Sequence, residues 1–89
     1  MLYAVICELK NRWKNYSSLV QKIESYGTWM HYIDNVWVIE TWDNADKITE
    51  DLLPLIDQDK DSLLIMRLAR EAQGWLPKEA WEWMSERNV

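Results

Sequence analysis

The fold of this chain is decided by residues 2–9, LYAVICEL, which read as a strand with apolar side chains on both faces. Leu2, Ala4 and Ile6 share one face, because successive side chains of a strand point in opposite directions. The odd-numbered residues share the other face. A sheet with helices on one side only alternates apolar and polar residues along its strands. The pattern therefore predicts a sheet whose second face also needs a cover, either the Trp-rich tail or another copy of the chain.

Three further runs have the composition of strands, and a helix-like segment follows the first and the third strand. The runs are residues 28–33, 36–41 and 63–69. The first two of them flank Asp34-Asn35. Both of these residues tolerate positive φ, so a tight hairpin is predicted between the runs.

Each helix-like segment carries apolar residues at three- and four-residue spacing. The first is expected to end at Gly27, and its stripe is Trp13, Tyr16, Leu19, Val20, Ile23 and Tyr26. The second is expected to be capped by Asp43 or Asn44, and its stripe is Ile48, Leu52, Leu55 and Ile56. This second helix should kink or stop near Leu53, because Pro54 cannot donate a hydrogen bond to the preceding turn.

The order strand, helix, strand, strand, helix, strand predicts an α+β protein with the ferredoxin-like βαββαβ arrangement. Right-handed crossovers place both helices on one face of a four-stranded antiparallel sheet. Residues 1–69 form this domain, and residues 70–89 form a C-terminal tail of the same structural unit. Pro77 suits the first turn of a tail helix over about residues 78–87. Its predicted apolar edge consists of Trp75, Leu76, Trp81 and Met84, with Trp83 more to the side.

The composition narrows the classes of function. The chain has 15 Asp and Glu against 10 Lys and Arg, a net charge of −5, which disfavours sequence-independent nucleic-acid binding. The single cysteine, Cys7, excludes an internal disulfide and is interpreted as a small buried hydrophobe. No run approaches the ~20 apolar residues of a membrane span, and no signal peptide is recognisable. We therefore expect a cytoplasmic protein with no membrane partner.

Several segments resemble the small bacterial proteins that carry the SinR family label. They are residues 1–9, MLYAVICEL; 23–27, IESYG; 29–38, WMHYIDNVWV; and 55–57, LID. The resemblance covers about residues 1–69 and implies a fold akin to the small CRISPR-associated ferredoxin-like proteins of spacer acquisition. Those relatives pair as homodimers. Some are metal-dependent nucleases that use one aspartate per subunit at the end of the first strand, a position that Glu8 occupies here.

Glu8 is accordingly the candidate catalytic and metal-binding residue. A carboxylate binds Mg²⁺ or Mn²⁺ through oxygen, and the resemblance implies that two chains bring their carboxylates together. The alternative is a strand-end carboxylate that is solvated or paired with Lys10 or Arg12. If the chain is not a nuclease, no cofactor is expected.

A basic loop follows Glu8 and is the candidate nucleic-acid contact. Lys10, Arg12 and Lys14 surround Trp13, and cations beside an aromatic ring can hold phosphate and stack a base. The alternative is that Trp13 packs in the first helix while the cations are solvated.

Three other groups of residues favour structural roles. Asp57, Asp59 and Asp61 open like a calcium loop, but Ser62 and Leu68 stand where that loop needs Gly and Glu. His31, the single histidine, is expected to make a structural hydrogen bond. The group Trp29, Trp37 and Trp42 is expected chiefly to pack, and the alternative is an exposed aromatic ledge for a protein or ligand.

The sequence thus supports three hypotheses of function. The first is a non-catalytic homodimeric module that acts through protein–protein contacts, which the apolar strand faces favour. The second is a metal-dependent endonuclease on single-stranded RNA or DNA, built around Glu8. The third is nucleic-acid binding without cleavage through the basic loop.

Overall fold

The computed structural model describes residues 1–87, which form one antiparallel sheet and three α-helices. The elements in chain order are β1 (Leu2–Glu8), α1 (Ser17–Glu24), β2 (Thr28–Ile33), β3 (Val36–Glu40), α2 (Ala45–Leu52), a 3₁₀ helix (Leu53–Leu55), β4 (Ser62–Arg67) and α3 (Lys78–Ser85). The strand order is β2-β3-β1-β4, with every neighbouring pair antiparallel. The α+β class and the four-stranded antiparallel sheet are confirmed.

The second helix begins and ends where its capping and breaking residues predict. The Asn44 side chain accepts a hydrogen bond from the Lys47 amide at 2.8 Å, which satisfies one of the free amides of the first turn of α2. Pro54 lies in the 3₁₀ helix that follows Leu52, so the α-helical hydrogen bonding stops just before the proline.

The first helix begins later than its apolar stripe predicts. The side chains of Asn11 and Asn15 accept hydrogen bonds from the amides of Trp13 and Ser17 at 3.0 and 2.8 Å. These Asx turns compete with helical hydrogen bonding and hold residues 11–16 as a loop. Trp13 is 92% exposed on this loop, so its predicted packing in the helix stripe is wrong.

The main core lies between the sheet and the first two helices. It is built from alternate residues of the two central strands and from the apolar stripes of α1 and α2: Tyr3, Val5, Cys7, Trp37, Ile39, Leu19, Ile23, Ile48, Leu52 and Ile56. Cys7 is 1% exposed within it, which confirms its interpretation as a buried hydrophobe. Burial, together with the charge of Asp61, raises the pKa of the Cys7 thiol to about 11.

The hairpin between β2 and β3 is tight but does not use positive φ. Ile33 pairs directly with Val36 around Asp34-Asn35, yet within residues 1–87 Gly27 is the sole residue with positive φ. Turns with ordinary negative φ match strand twist poorly. The accompanying register shift between Met30 and Ile33 is the irregularity expected of such a turn.

The helix α3 packs against the opposite face of the sheet. Its fully buried Ala80 contacts a second apolar cluster that contains Leu2, Met30 and Val38, with Trp83 and Met84 packed against it. Arg87 holds the end of α3: its guanidinium lies 3.3 Å from a Glu40 carboxylate oxygen and 4.0 Å from the centre of the Trp83 ring.

Several tryptophans lie elsewhere than predicted. Trp75, expected on the apolar edge of the tail, is 99% exposed, and Trp83, expected at its side, packs inward. Of the group Trp29, Trp37 and Trp42, the core holds Trp37, whereas Trp42 is 92% exposed. None of the helices within residues 1–87 has the length and apolar character that crossing a bilayer requires.

Candidate functional site

The face of the sheet opposite α1 and α2 consists of three rows of residues that run across the strands. Strand pairing places Leu64, Ile6, Val36 and Ile33 in an outer row, and Met66, Ala4, Val38 and Met30 in a middle row. A third row contains Leu2, beside Leu68, whose amide donates to the Leu2 carbonyl at 3.0 Å. The outer and middle rows are apolar throughout.

The helix α3 covers only part of this face. Leu2, Met30 and Val38 are buried beneath it. By contrast, Leu64 and Met66 on β4 are each 52% exposed, and Ile33 and Tyr32 at the end of β2 are also exposed. We call the exposed Leu64, Met66, Ile33 and Tyr32, with the partly exposed Ala4, Ile6 and Val36 between them, the open patch.

An apolar groove overlaps the open patch, because Ala4, Tyr32, Ile33 and Val36 belong to both. It has a volume of about 300 Å³ and lies between the sheet and the segment that leads into α3. Ala4 and Val36 line its floor on the sheet, and residues 72–76 with Met84 line it from the tail. Its volume is near the lower end of ligand sites, and its lining is predominantly apolar.

The strand β4 leaves a regular edge beside the open patch. The Leu68 amide points toward β1, and amide directions alternate along an antiparallel strand. The amides of Leu63, Ile65 and Arg67 therefore point away from the sheet. The other edge strand, β2, carries a register shift, a feature that discourages pairing with further strands.

Glu8 ends β1 opposite Ser62 and forms an ion pair. Its carboxylate lies 2.8 Å from the ammonium of Lys10, and both side chains are more than half exposed. This is the pairing that the structural alternative expected. Within residues 1–87, no three His, Cys, Asp or Glu side chains gather closely enough to hold a metal ion.

The basic loop is held in place by the acidic loop that precedes β4. Asp61 accepts hydrogen bonds from the Lys10 amide at 2.7 Å and from the Tyr16 hydroxyl at 2.6 Å. The Asn11 side-chain amide donates to Asp57 at 2.8 Å. The loop thus presents Trp13, with Arg12 and Lys14 at its sides, from an ordered base.

The same hydrogen bonds explain the roles of Asp57 and Asp61, two of the three aspartates whose spacing opens like a calcium loop. Burial raises the pKa of Asp61, but hydrogen bonds from the Tyr16 hydroxyl and from the Lys10 and Asp57 amides outweigh it, so the pKa lies below its ordinary value. Asp57 also accepts from the Asp59 amide at 3.0 Å. Asp57 and Asp61 therefore accept hydrogen bonds from protein donors and connect the acidic loop to the basic loop.

His31 combines a hydrogen bond with an aromatic contact. Its Nε2 lies 2.8 Å from the Asp34 carbonyl oxygen, and its ring stacks on Trp37 with centroids 3.7 Å apart. Both contacts are structural, as the sequence predicts.

A second polar cluster joins α1 and α2 at their solvent side. The Tyr26 hydroxyl donates to Asp51 at 2.7 Å, and the Lys47 ammonium lies 2.9 Å from the same carboxylate. Burial and the Asp51 carboxylate raise the pKa of Tyr26. Hydrogen bonds from Lys47 and Tyr26 lower the pKa of Asp51. This cluster fastens the two helices together, and Tyr26 also lines a surface cavity with Glu40 and Arg87.

The sequence predicted an apolar second sheet face but not which of its residues stay exposed, and it placed Trp75 on the apolar edge of the tail. The available signal was the β4 run, which is apolar on both faces while one short tail helix is too small to cover the whole sheet. No family model, curated protein or solved structure matches this chain. The resemblance to SinR-family and CRISPR-associated proteins therefore stays a prediction.

Proposed function

We propose that this protein is a non-catalytic, ferredoxin-like module that forms a homodimer and acts through protein–protein contacts. The observation that carries the proposal is the open patch. It joins exposed apolar side chains from both edge strands, Leu64 and Met66 on β4 and Ile33 and Tyr32 on β2, across the floor of the sheet.

The size of the open patch supports an interface. Monomeric proteins rarely expose contiguous apolar patches larger than about 300–600 Å². Leu64, Met66, Ile33 and Tyr32 are each about half exposed and Trp75 is 99% exposed, so the apolar surface here is on the order of several hundred Å².

A second copy of the chain is the partner that fits this patch. The chain carries a net charge of −5, which would repel a like copy where acidic residues face each other. All seven residues of the open patch are uncharged, so this is where two copies can meet without that repulsion. A symmetric dimer then buries the same patch on both subunits.

Sedimentation equilibrium with a matched pair of variants tests the proposal. Leu64→Lys places a charge in the open patch, whereas Leu53→Lys changes an exposed leucine on the 3₁₀ helix. We expect the wild type and Leu53→Lys to be dimers at tens of micromolar. Leu64→Lys should raise the dimer dissociation constant at least about tenfold. The dimer would no longer bury a leucine at this position and would have to desolvate a charge instead.

Two results would contradict the dimer. One is a wild-type protein that stays monomeric at these concentrations. The other is a dimer that Leu64→Lys leaves unchanged while circular dichroism shows the variant folded, because the interface would then lie elsewhere.

Exposure of Trp13 favours nucleic-acid binding as a second candidate function. Trp13 is 92% exposed on an ordered loop, with Arg12 and Lys14 beside it. Binding of a single-stranded oligonucleotide should fall steeply with salt. Trp13→Ala should weaken that binding, whereas Trp42→Ala, at the same exposure, should leave it unchanged. Binding that is absent, insensitive to salt or equal in both variants would remove this candidate.

The contacts of Glu8 favour the ion pair over the nuclease. Lys10 lies on its carboxylate, and a metal site would need this ion pair to open in both subunits of a dimer. We expect no Mg²⁺- or Mn²⁺-dependent cleavage of single-stranded RNA or DNA. Cleavage by the wild type that is lost in a folded Glu8→Gln variant would reverse this conclusion.

A further inference from the structure

Trp75 and the apolar groove form a matched pair on one face of the molecule. Trp75 is 99% exposed, more than any other large apolar side chain within residues 1–87. It is one of the residues that line the groove of about 300 Å³, which overlaps the open patch. We propose that Trp75 of each copy inserts into the groove of the other copy, which makes it the anchor of the homodimer. This inference rests on the proposed function.

Trp75 and its neighbour Leu76 lie in opposite environments. Leu76 turns inward and packs against the second apolar cluster under α3. Trp75, one residue earlier in the chain, is 99% exposed and so faces the solvent side. Pro77, which directly precedes α3, has φ −55° and ψ 150° and fixes this approach to the helix.

The groove suits an indole ring in chemistry and in size. Its floor is formed by Ala4 and Val36, and Met84 adds a side chain that adapts to the shape of its partner. A volume of about 300 Å³ accommodates one indole side chain. An aromatic residue buries about 150–250 Å² when it enters such a site, a large share of one partner's part of a standard interface.

Symmetry makes the exchange close on itself. Trp75 and the groove lie on the same face of one chain, so a two-fold axis between two copies satisfies both contacts at once. The result is a closed dimer with two equivalent anchors. Central, desolvated tryptophans of this kind dominate the binding energy of many interfaces.

Three tryptophans of nearly equal exposure provide the test with its controls. Trp75→Ala should raise the dimer dissociation constant by at least about 30-fold, the effect of losing a hot-spot residue. Trp13→Ala and Trp42→Ala remove rings that are each 92% exposed but lie away from the groove. They should change the dissociation constant less than about twofold, because exposed rings outside an interface contribute little to its affinity.

Mixing two defective variants tests the exchange itself. Ala4→Phe fills the groove and leaves Trp75 intact, whereas Trp75→Ala leaves the groove intact. Each variant alone should be mainly monomeric. Their mixture should form a heterodimer, because the remaining Trp75 meets the remaining groove. If Ala4→Phe does not fold, Ala72→Phe blocks the groove from its exposed rim without touching the sheet.

The outcomes separate this inference from the proposed function. A wild-type monomer contradicts both. A wild-type dimer that Trp75→Ala leaves intact, or folded variants whose mixture forms no heterodimer, contradicts the exchange and leaves the dimer through the open patch standing. A groove that binds a free apolar peptide equally well in dimer and monomer also contradicts the exchange, since Trp75 would not occupy it.

Discussion

Cys7 connects a single residue to the pH dependence of stability. Burial, with Asp61, raises its pKa from 9.0 to about 11 in the folded protein. The buried neutral thiol contributes fully to the free energy of unfolding below pH 9.0. This contribution is lost as the pH rises toward 11, because the thiol of the unfolded chain ionises at a lower pH than the thiol of the folded protein. The loss approaches about 2–3 kcal/mol at the upper end of this range.

Urea unfolding between pH 8 and pH 11 measures this contribution. The free energy of unfolding should fall more steeply for the wild type than for Cys7→Ala, which keeps the tyrosines and lacks the thiol. A thiol reagent should modify Cys7 only after unfolding. Parallel pH profiles, or rapid modification of the native protein, would show that the thiol is not held in the neutral form.

Asp51 makes the opposite contribution at acid pH. Hydrogen bonds from Lys47 and Tyr26 lower its pKa below 3.8, so it stabilises the fold above that pH and stops doing so as the pH falls through its folded-state value. Asp51→Asn should lower stability at neutral pH and flatten the acid limb of the stability profile. Glu50→Gln, on the exposed side of α2, is the matched control and should keep the wild-type profile. Equal acid limbs for Asp51→Asn and the wild type would remove this role.

At the scale of single residues, the sequence predicted burial correctly for the small apolar side chain of Cys7 but not for several tryptophans. Cys7 follows from its position in the middle of an apolar strand. Trp13, Trp42 and Trp75 lie exposed on loops, whereas helical spacing had placed Trp13 and Trp75 on apolar helix faces and Trp42 was expected chiefly to pack. Their exposure depends on Asx turns and on the direction of a connecting segment, which spacing along the chain does not encode.

Among the elements, α2 has the clearest sequence signals and offers a direct test of one of them. The Asn44 side chain caps the helix through the Lys47 amide at 2.8 Å. Asn44→Ala should lower the free energy of unfolding by about 0.5–2 kcal/mol, and Asn44→Ser should restore most of it. Thermal or urea unfolding measures the difference. An alanine variant as stable as the serine variant would mean that the cap contributes nothing.

The helix α3 packs against the sheet with Ala80 fully buried and with Trp83 and Met84 beside it. Ala80→Glu would place a carboxylate against Leu2, Met30 and Val38 without a partner, and should cost about 2–4 kcal/mol or undock the helix. Lys78→Glu, on the exposed side of the same helix, should have little effect. Urea unfolding, with exposure of the sheet followed by a hydrophobic dye, measures both. Equal stability of the two variants would mean that α3 does not protect this face.

Strand runs and the α2 boundaries could be predicted because they depend on local composition, on Asn44 and on Pro54. The start of α1 could not, because Asn11 and Asn15 compete with the helix for backbone amides. The register shift near Met30 follows from a turn geometry that the pair Asp34-Asn35 does not specify. The packing of Trp83 against the second apolar cluster and the exposure of Trp75, on the segment before α3, both depend on how the tail docks.

For the whole molecule, the sequence predicted that both sheet faces are apolar, and this is the origin of the open patch. It did not show how much of the second face one helix covers. That depends on the path of residues 68–77 across the sheet. The sequence therefore predicts on which face of the sheet the candidate site lies. The extent of the site depends on which residues the tail leaves exposed, among them Leu64, Met66 and Trp75.

The central place of β1 in the sheet has a consequence for how the chain reaches its native state. β1 precedes the other strands in sequence, yet both of its partners, β3 and β4, come much later. Its ladders close only when distant segments meet, a topology of high contact order that slows folding. Until β4 is synthesised, residues 2–8 stay unpaired along one side, and a nascent chain in this condition is a target for chaperones.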